Sequence, residues 1–248
     1  MMARAGAGRR GLVWAAVGAA VLIAGLVALL ATRPGTDPTS PTPSGTASAT
    51  SPTSSKAPTS RPTADGAVVD PSVTARGWTP EPITTDAEAY ARAALAAAST
   101  FDTTKSNRDA WLDYLDTWFT PDTRYATQAE REDVMRGAKL ELRQAVVLPE
   151  TRWDSLADES GRVMARVVGD VDFEPVPSDE TGDMTIGTAD VTLTYTSTDG
   201  AGGELAYDET VRVSIQVLCG PGSIPTPNSA QRAGDCKVVR WFSGTLEP

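Results

Sequence analysis

Histidine is absent from all 248 residues, and that narrows the available chemistry before any motif is sought. It removes Ser-His-Asp and Cys-His nucleophilic catalysis, imidazole acid–base work and histidine-ligated zinc. Two cysteines are present, Cys219 and Cys236, with sixteen intervening residues rich in Pro, Gly and Ser. Outside the cytoplasm an even pair is usually a disulfide, whereas a redox pair usually has the closer CxxC spacing. Asp170, Asp172 and Glu174 alternate, so a strand would put three carboxylates on one face. Hard cations take such oxygens, but a calcium site needs about six or more of them, commonly from a loop turned by glycine. A solvated strand whose charges deter edge pairing explains the triplet as well. Tyr114, Tyr195, Tyr207, Asp113 and Asp116 are the remaining acid–base candidates, and an aspartate becomes a useful base only when desolvated. Asp113 and Asp116 fall off the apolar stripe of their own helix, on its wet side. The letters GxGxxG occur at Gly6–Gly11, but a phosphate-binding turn needs a strand before it and a soluble helix after it. No Walker or zinc pattern is present. The expectation is a chain without catalytic residues, cofactor or metal.

A chain without chemistry of its own is defined by where it is held. Residues 12–31, from Leu12 through Trp14 to Ala31, are twenty uncharged residues without a strong helix breaker. That length crosses a bilayer core at about 1.5 Å per residue. Arg4, Arg9 and Arg10 precede the segment and Arg33 alone follows closely, so the short tail (1–11) should be cytoplasmic and the remainder outside. Trp14 occupies the place of an interfacial aromatic anchor. A cleaved signal peptide is the rival; its apolar region usually runs about 7–15 residues, and Leu29-Leu30-Ala31 is a poor cleavage site.

Residues 32–82 read as a disordered linker. Pro, Ser or Thr fill 22 of the 31 positions from 34 to 64, which leaves too little apolar surface to fold. At about 3.1 Å per residue this stretch could span roughly 95 Å, enough for a spacer through a cell wall. From Gly77 onward there are 15 Lys plus Arg against 29 Asp plus Glu, a net charge of −14. An acidic surface of that size argues against nucleic acid and against an anionic membrane surface as partners.

Residues 83–248 form the expected extracytoplasmic domain, of a size that supports one core. Thr85 with Glu88, Ser106 with Asp109 and Thr127 with Glu130 each suggest a helix start. Trp111, Tyr114, Leu115, Trp118 and Phe119 recur at helical spacing, either as core or as an aromatic partner-binding stripe. After Pro149 the period changes to two. Strands are predicted over 161–174, 187–196, 211–217 and 236–243, half-buried and antiparallel, with a hairpin at Asp199-Gly200. Cys219 would end the third strand and Cys236 would open the fourth, close enough to bridge.

This order resembles the nuclear transport factor 2-like cone, an α+β fold in which three N-terminal helices pack on a curved antiparallel sheet. An alanine-rich helix leading to Trp111-Leu112-Asp113-Tyr114-Leu115, with Thr120-Pro121 after an aromatic pair, looks like membrane-anchored proteins of high-GC Gram-positive bacteria. Those are similar to bitopic scaffold proteins of type IV secretion and conjugation, and to Mce-associated membrane proteins. The resemblance implies a non-enzymatic single-pass envelope protein, anchored through residues 12–31. Its outer domain would act as a scaffold among other cell-envelope proteins, accessory to a conjugation or secretion apparatus, with a homo-oligomer allowed. The alternative is a cone that holds a small apolar ligand or lipid at the cell surface.

Overall fold

The computed structural model describes residues 66–244. The expected tail, the anchor from Leu12 to Ala31 and most of the linker lie outside the described residues. Among the described residues no helix is long and apolar enough to cross a membrane.

The helical half begins with α1 (Ala87–Ala97). Its cap is Asp86 rather than Thr85, because the Asp86 carboxylate accepts the Glu88 and Ala89 N–H groups at 2.9 and 3.1 Å and adds a negative charge at the helix N-terminus. Helix α2 (Arg108–Asp116) is capped by Asn107 rather than Ser106; the Ser106 hydroxyl is engaged elsewhere, accepting the Trp78 indole N–H at 2.8 Å. Helix α3 (Gln128–Glu141) starts at the expected Thr127–Glu130 capping box and runs on into a π-helical turn, Leu142–Val146. A fourth helix, α4 (Glu150–Asp158), corrects the expectation of three. Its apolar contacts come only from Trp153 and Leu156, a single i, i+3 pair that does not repeat often enough to show as a period.

The sheet is a five-stranded antiparallel meander in the order β1 (Phe101–Asp102), β2 (Arg162–Pro175), β3 (Met184–Thr198), β4 (Glu204–Leu218) and β5 (Lys237–Trp241). The two residues of β1 carry no alternation, which is why the sequence shows four strands and not five. The β2–β3 register shifts between Val168 and Asp172, where Gly169 takes φ +70°, a bulge of the kind that bends a strand. At the β3–β4 turn the Asp199 carboxylate accepts the Ala201 and Gly203 N–H groups, both at 2.8 Å. Only Ile215–Leu218 of β4 pair with β5, so the length from Glu204 has one sheet neighbour, β3.

The sheet curls around the helices. Trp111, Trp118, Trp241, Tyr90 and Phe101 fill the space between them, all fully buried. The small Ala91, Ala94 and Ala98 let α1 sit close to the sheet, and the Trp241 indole donates to the Ala94 carbonyl at 3.1 Å.

Residues 66–82, expected to belong to the linker, are part of the fold. They form a strap with a 3₁₀ turn at Pro71–Arg76. Val68 bridges Pro82, and the Val69 N–H donates to the Glu81 carbonyl at 2.8 Å. Val73 and Trp78 are each 3% exposed. Prolines and threonines mask these few anchors in the sequence, because the anchors bury at irregular spacing against distant elements and not on one periodic face.

Candidate functional site

Two side chains of opposite charge meet inside the domain. Glu81 stands between Pro80 and Pro82 in the strap, and Lys237 opens β5. Lys237 Nζ donates to Glu81 Oε1 at 2.8 Å, to the Thr117 carbonyl at 2.7 Å and to Thr226 Oγ1 at 2.7 Å. The Tyr90 hydroxyl and the Gln231 amide donate to the same Glu81 oxygen at 2.7 and 3.1 Å. The two charged side chains are 1% and 0% exposed. Burial holds the Lys237 ammonium below its ordinary range, with the Glu81 carboxylate pulling it back up. Burial likewise pushes the Tyr90 phenol well up, and the neighbouring Glu81 charge adds to it. All three ammonium protons are taken, so the lysine has no lone pair to offer a substrate. The cluster is a clamp that joins strap, α1, the end of α2 and the long β4–β5 loop.

Cys219 and Cys236 form a disulfide across the base of that loop, with Cα atoms 4.0 Å apart. The Cys236 N–H donates to the Thr84 carbonyl at 2.7 Å, tying the loop to the strap a second time. Farther along, the Ile224 N–H donates to Thr120 Oγ1 at 2.9 Å.

The aromatic stripe lies inside. Trp111, Leu115 and Trp118 are fully buried and Phe119 nearly so. Tyr114 is partly covered, stacked on Trp78 with centroids 5.1 Å apart. Its hydroxyl accepts the Glu81 N–H at 3.0 Å and donates to the Thr79 carbonyl at 2.8 Å. These residues therefore present no aromatic face to a partner.

The acid–base candidates do not converge. Asp116 takes the Arg143 guanidinium at 2.7 Å, while Asp113 reaches the same group at 3.4 Å from an exposed position. Asp172 and Asp190 share Arg212 at 2.7 and 3.4 Å. Among the described residues no group of three His, Cys, Asp or Glu side chains is arranged to hold a metal ion.

Of the clefts along the concave side of the sheet, two differ most in their lining. One, of about 340 Å³, is mainly apolar and is lined by Leu95, Ala98, Val191, Leu193, Val211 and Trp241. The other, of about 210 Å³, lies between α4 and the far end of β3 and β4, with Arg152, Ser155, Glu159, Tyr195 and Tyr207 around it.

The Glu81–Lys237 clamp is the feature that periodicity missed. A signal was present: a lysine at the head of Lys237-Val238-Val239, in a run that reads as buried, requires a carboxylate partner in the fold. Its location in the strap could not be read.

No described protein family matches the chain, and no curated protein matches its sequence. Two solved structures are distantly similar. One is an IcmL-like type IV secretion system protein from Legionella pneumophila, 12% identical over 63% of this chain and 88% of that one, with a TM-score of 0.36. The other is CagV, a VirB8 homolog of the type IV secretion system of Helicobacter pylori, 18% identical over 53% and 76%, with a TM-score of 0.28. Similarities this distant carry no argument about a shared role.

Proposed function

We propose that the chain is a non-enzymatic, single-pass envelope protein whose outer domain serves as an interaction and scaffold module, accessory to a conjugation or secretion apparatus. The observation that supports this reading most is the filled interior. Trp111, Trp118, Trp241, Tyr90 and Phe101 occupy the space where an enzyme of cone shape would keep its substrate. Glu81 and Lys237, the most deeply buried charges, are consumed by each other, and the buried Asp122 carboxylate is held by Arg124. The apolar segment at residues 12–31 and the Pro/Ser/Thr-rich tract behind it supply the anchor and the spacer of this reading. The tie to a transfer apparatus rests on the sequence resemblance around Trp111-Leu112-Asp113-Tyr114-Leu115.

In-cell cross-linking of the whole chain, followed by detergent purification and mass spectrometry, tests it. Reproducible capture of other envelope proteins, lost when residues 84–248 are deleted, is the expected result. Capture of this chain alone would overturn it.

The cleft bounded by Leu95, Val191, Leu193 and Val211 favours a second reading, a carrier of a small apolar ligand. Native mass spectrometry of the purified chain, with organic extraction of any bound lipid, separates the two.

A further inference from the structure

The cleft beside α4 sets a stacked pair of tyrosines against charged side chains. Tyr195 and Tyr207 are direct cross-strand neighbours on β3 and β4. Their rings stack 4.9 Å apart and 9° from parallel. Each ring therefore spends one face on the other, and the free face of Tyr207 points away from β3, toward the side of β4 that has no strand neighbour among the described residues. Tyr207 is 58% exposed. Across the cleft, α4 presents Arg152, Ser155 and Glu159, while Glu209 stands two residues from Tyr207 on the same face of β4. Burial raises the Tyr195 phenol above its ordinary value, with the Glu209 charge adding to the rise and the Arg152 charge opposing it.

These polar groups are among the surface groups that the fold leaves open around a cleft. Arg162, Arg212 and Arg240 are each held by a carboxylate. By contrast, no hydrogen bond or ion pair to a described residue engages the side chains of Arg152, Glu159 and Glu209 or the hydroxyls of Tyr195 and Tyr207. Five free donors and acceptors around a flat aromatic surface describe a site for a particular class of ligand. One guanidinium against two carboxylates does not suit a phosphate or another anion. So many polar groups do not suit an acyl chain. An uncharged, polyhydroxylated ring with an apolar face suits both halves of the site: its C–H face stacks on tyrosine, and its hydroxyls use Arg, Glu and Tyr as donors and acceptors.

We propose that the Tyr195–Tyr207 cleft is a saccharide-binding site that takes one sugar ring of a cell-wall glycan. Its volume of about 210 Å³ is smaller than the roughly 300–1,000 Å³ of pockets that engulf a whole small molecule. Among the described residues the β4 side of the cleft at the exposed Tyr207 is open, which leaves room for a polymer to continue past the bound ring. The site is separate from the clamp and from the buried stripe, and the choice of a cell-wall glycan rests on the reading that the domain lies outside the membrane; failure to bind glycan leaves the scaffold reading untouched.

Co-sedimentation of the full-length chain with purified, protease-treated cell-wall glycan tests the proposal. The chain is kept in a zwitterionic detergent without a sugar headgroup, because a glycosidic detergent would compete. The chain is expected to pellet with the glycan, and Tyr207→Leu to weaken retention about tenfold, since it removes the stacking face and the hydroxyl while keeping apolar bulk. Arg152→Ala, on an exposed helix position with no intramolecular partner, is expected to weaken it in the same direction and covers the case in which Tyr207→Leu disturbs the β3–β4 pair. Three results would overturn the proposal: no retention, retention unchanged in both variants, or retention only on wall that has not been treated with protease, which would mark a protein partner instead.

Discussion

Lys237 and Glu81 lie 156 positions apart in the chain and 2.8 Å apart in the fold, with both side chains sealed from solvent. One comes from a proline-flanked strap and the other from the strand beside the disulfide. Their contact links the start of the folded region to its last strand.

Removing one partner leaves the other as an uncompensated buried charge. Glu81→Ala or Lys237→Ala is therefore expected to cost about 3–5 kcal/mol. Replacing both together, as Glu81→Leu with Lys237→Met, should cost less than either single change, because no charge remains stranded. Urea denaturation of the three variants measures this, and a double loss equal to the sum of the singles would show that the two residues do not act as a pair.

Alkali should weaken the same region. Burial above all, with the Glu81 charge adding, raises the phenols of Tyr90 and Tyr114 above their ordinary value. In the unfolded chain both ionise near pH 10, while in the fold both stay protonated. Above that pH the folded state holds more protons than the unfolded one, so stability falls as pH rises. Lys237, lowered by burial, contributes the opposite slope, but only up to about pH 10.4, where the unfolded lysine has also lost its proton. The urea midpoint is thus expected to drop between about pH 10 and 11. Tyr90→Phe should flatten that drop; an unchanged slope would remove Tyr90 as its source.

Reduction should destabilise the domain. The disulfide closes a loop of sequence separation 17. Cross-linking a loop of that length is worth about 3 kcal/mol on the chain-entropy estimate. A reducing agent, or Cys219→Ser with Cys236→Ser, should lower the melting temperature, as followed by tryptophan fluorescence. A reduced protein with both thiols titrated and an unshifted melt would contradict this.

The stripe residues should behave as core. Trp118→Ala removes a side chain with no exposed surface and is expected to cost about 3–5 kcal/mol. If stability held while partner capture disappeared, Trp118 would have to act at an interface.

Much of the architecture was legible because it is written in short-range periods. The i, i+3, i+4 recurrence from Trp111 located α2 and its buried side but overran its end, since the helix stops at Asp116 while Trp118 lies in the following turn and Phe119 bridges Val238; the Val191-Leu193-Tyr195 alternation located β3. The Thr127–Glu130 box marked a helix start from two residues alone. The same method failed where an element carries too few apolar residues to repeat, as in the two residues of β1 and the single Trp153–Leu156 pair of α4. It also misplaced the caps by one residue where an Asp or Asn next door made the better acceptor.

The sequence by itself determined the balance of helix and strand, the acidic surface, the disulfide pair and, through the missing histidines, the chemistry that cannot occur. Each of these follows from composition or from spacing along the chain. Only the tertiary structure decided that Glu81 belongs to Lys237, that residues 66–82 are strap and not linker, and that Tyr195 stacks on Tyr207 beside unpaired Arg152 and Glu159. Those facts depend on which distant segments meet when the sheet curls. Burial decides the partner of a charge, and burial is a property of the assembled core rather than of any stretch of sequence.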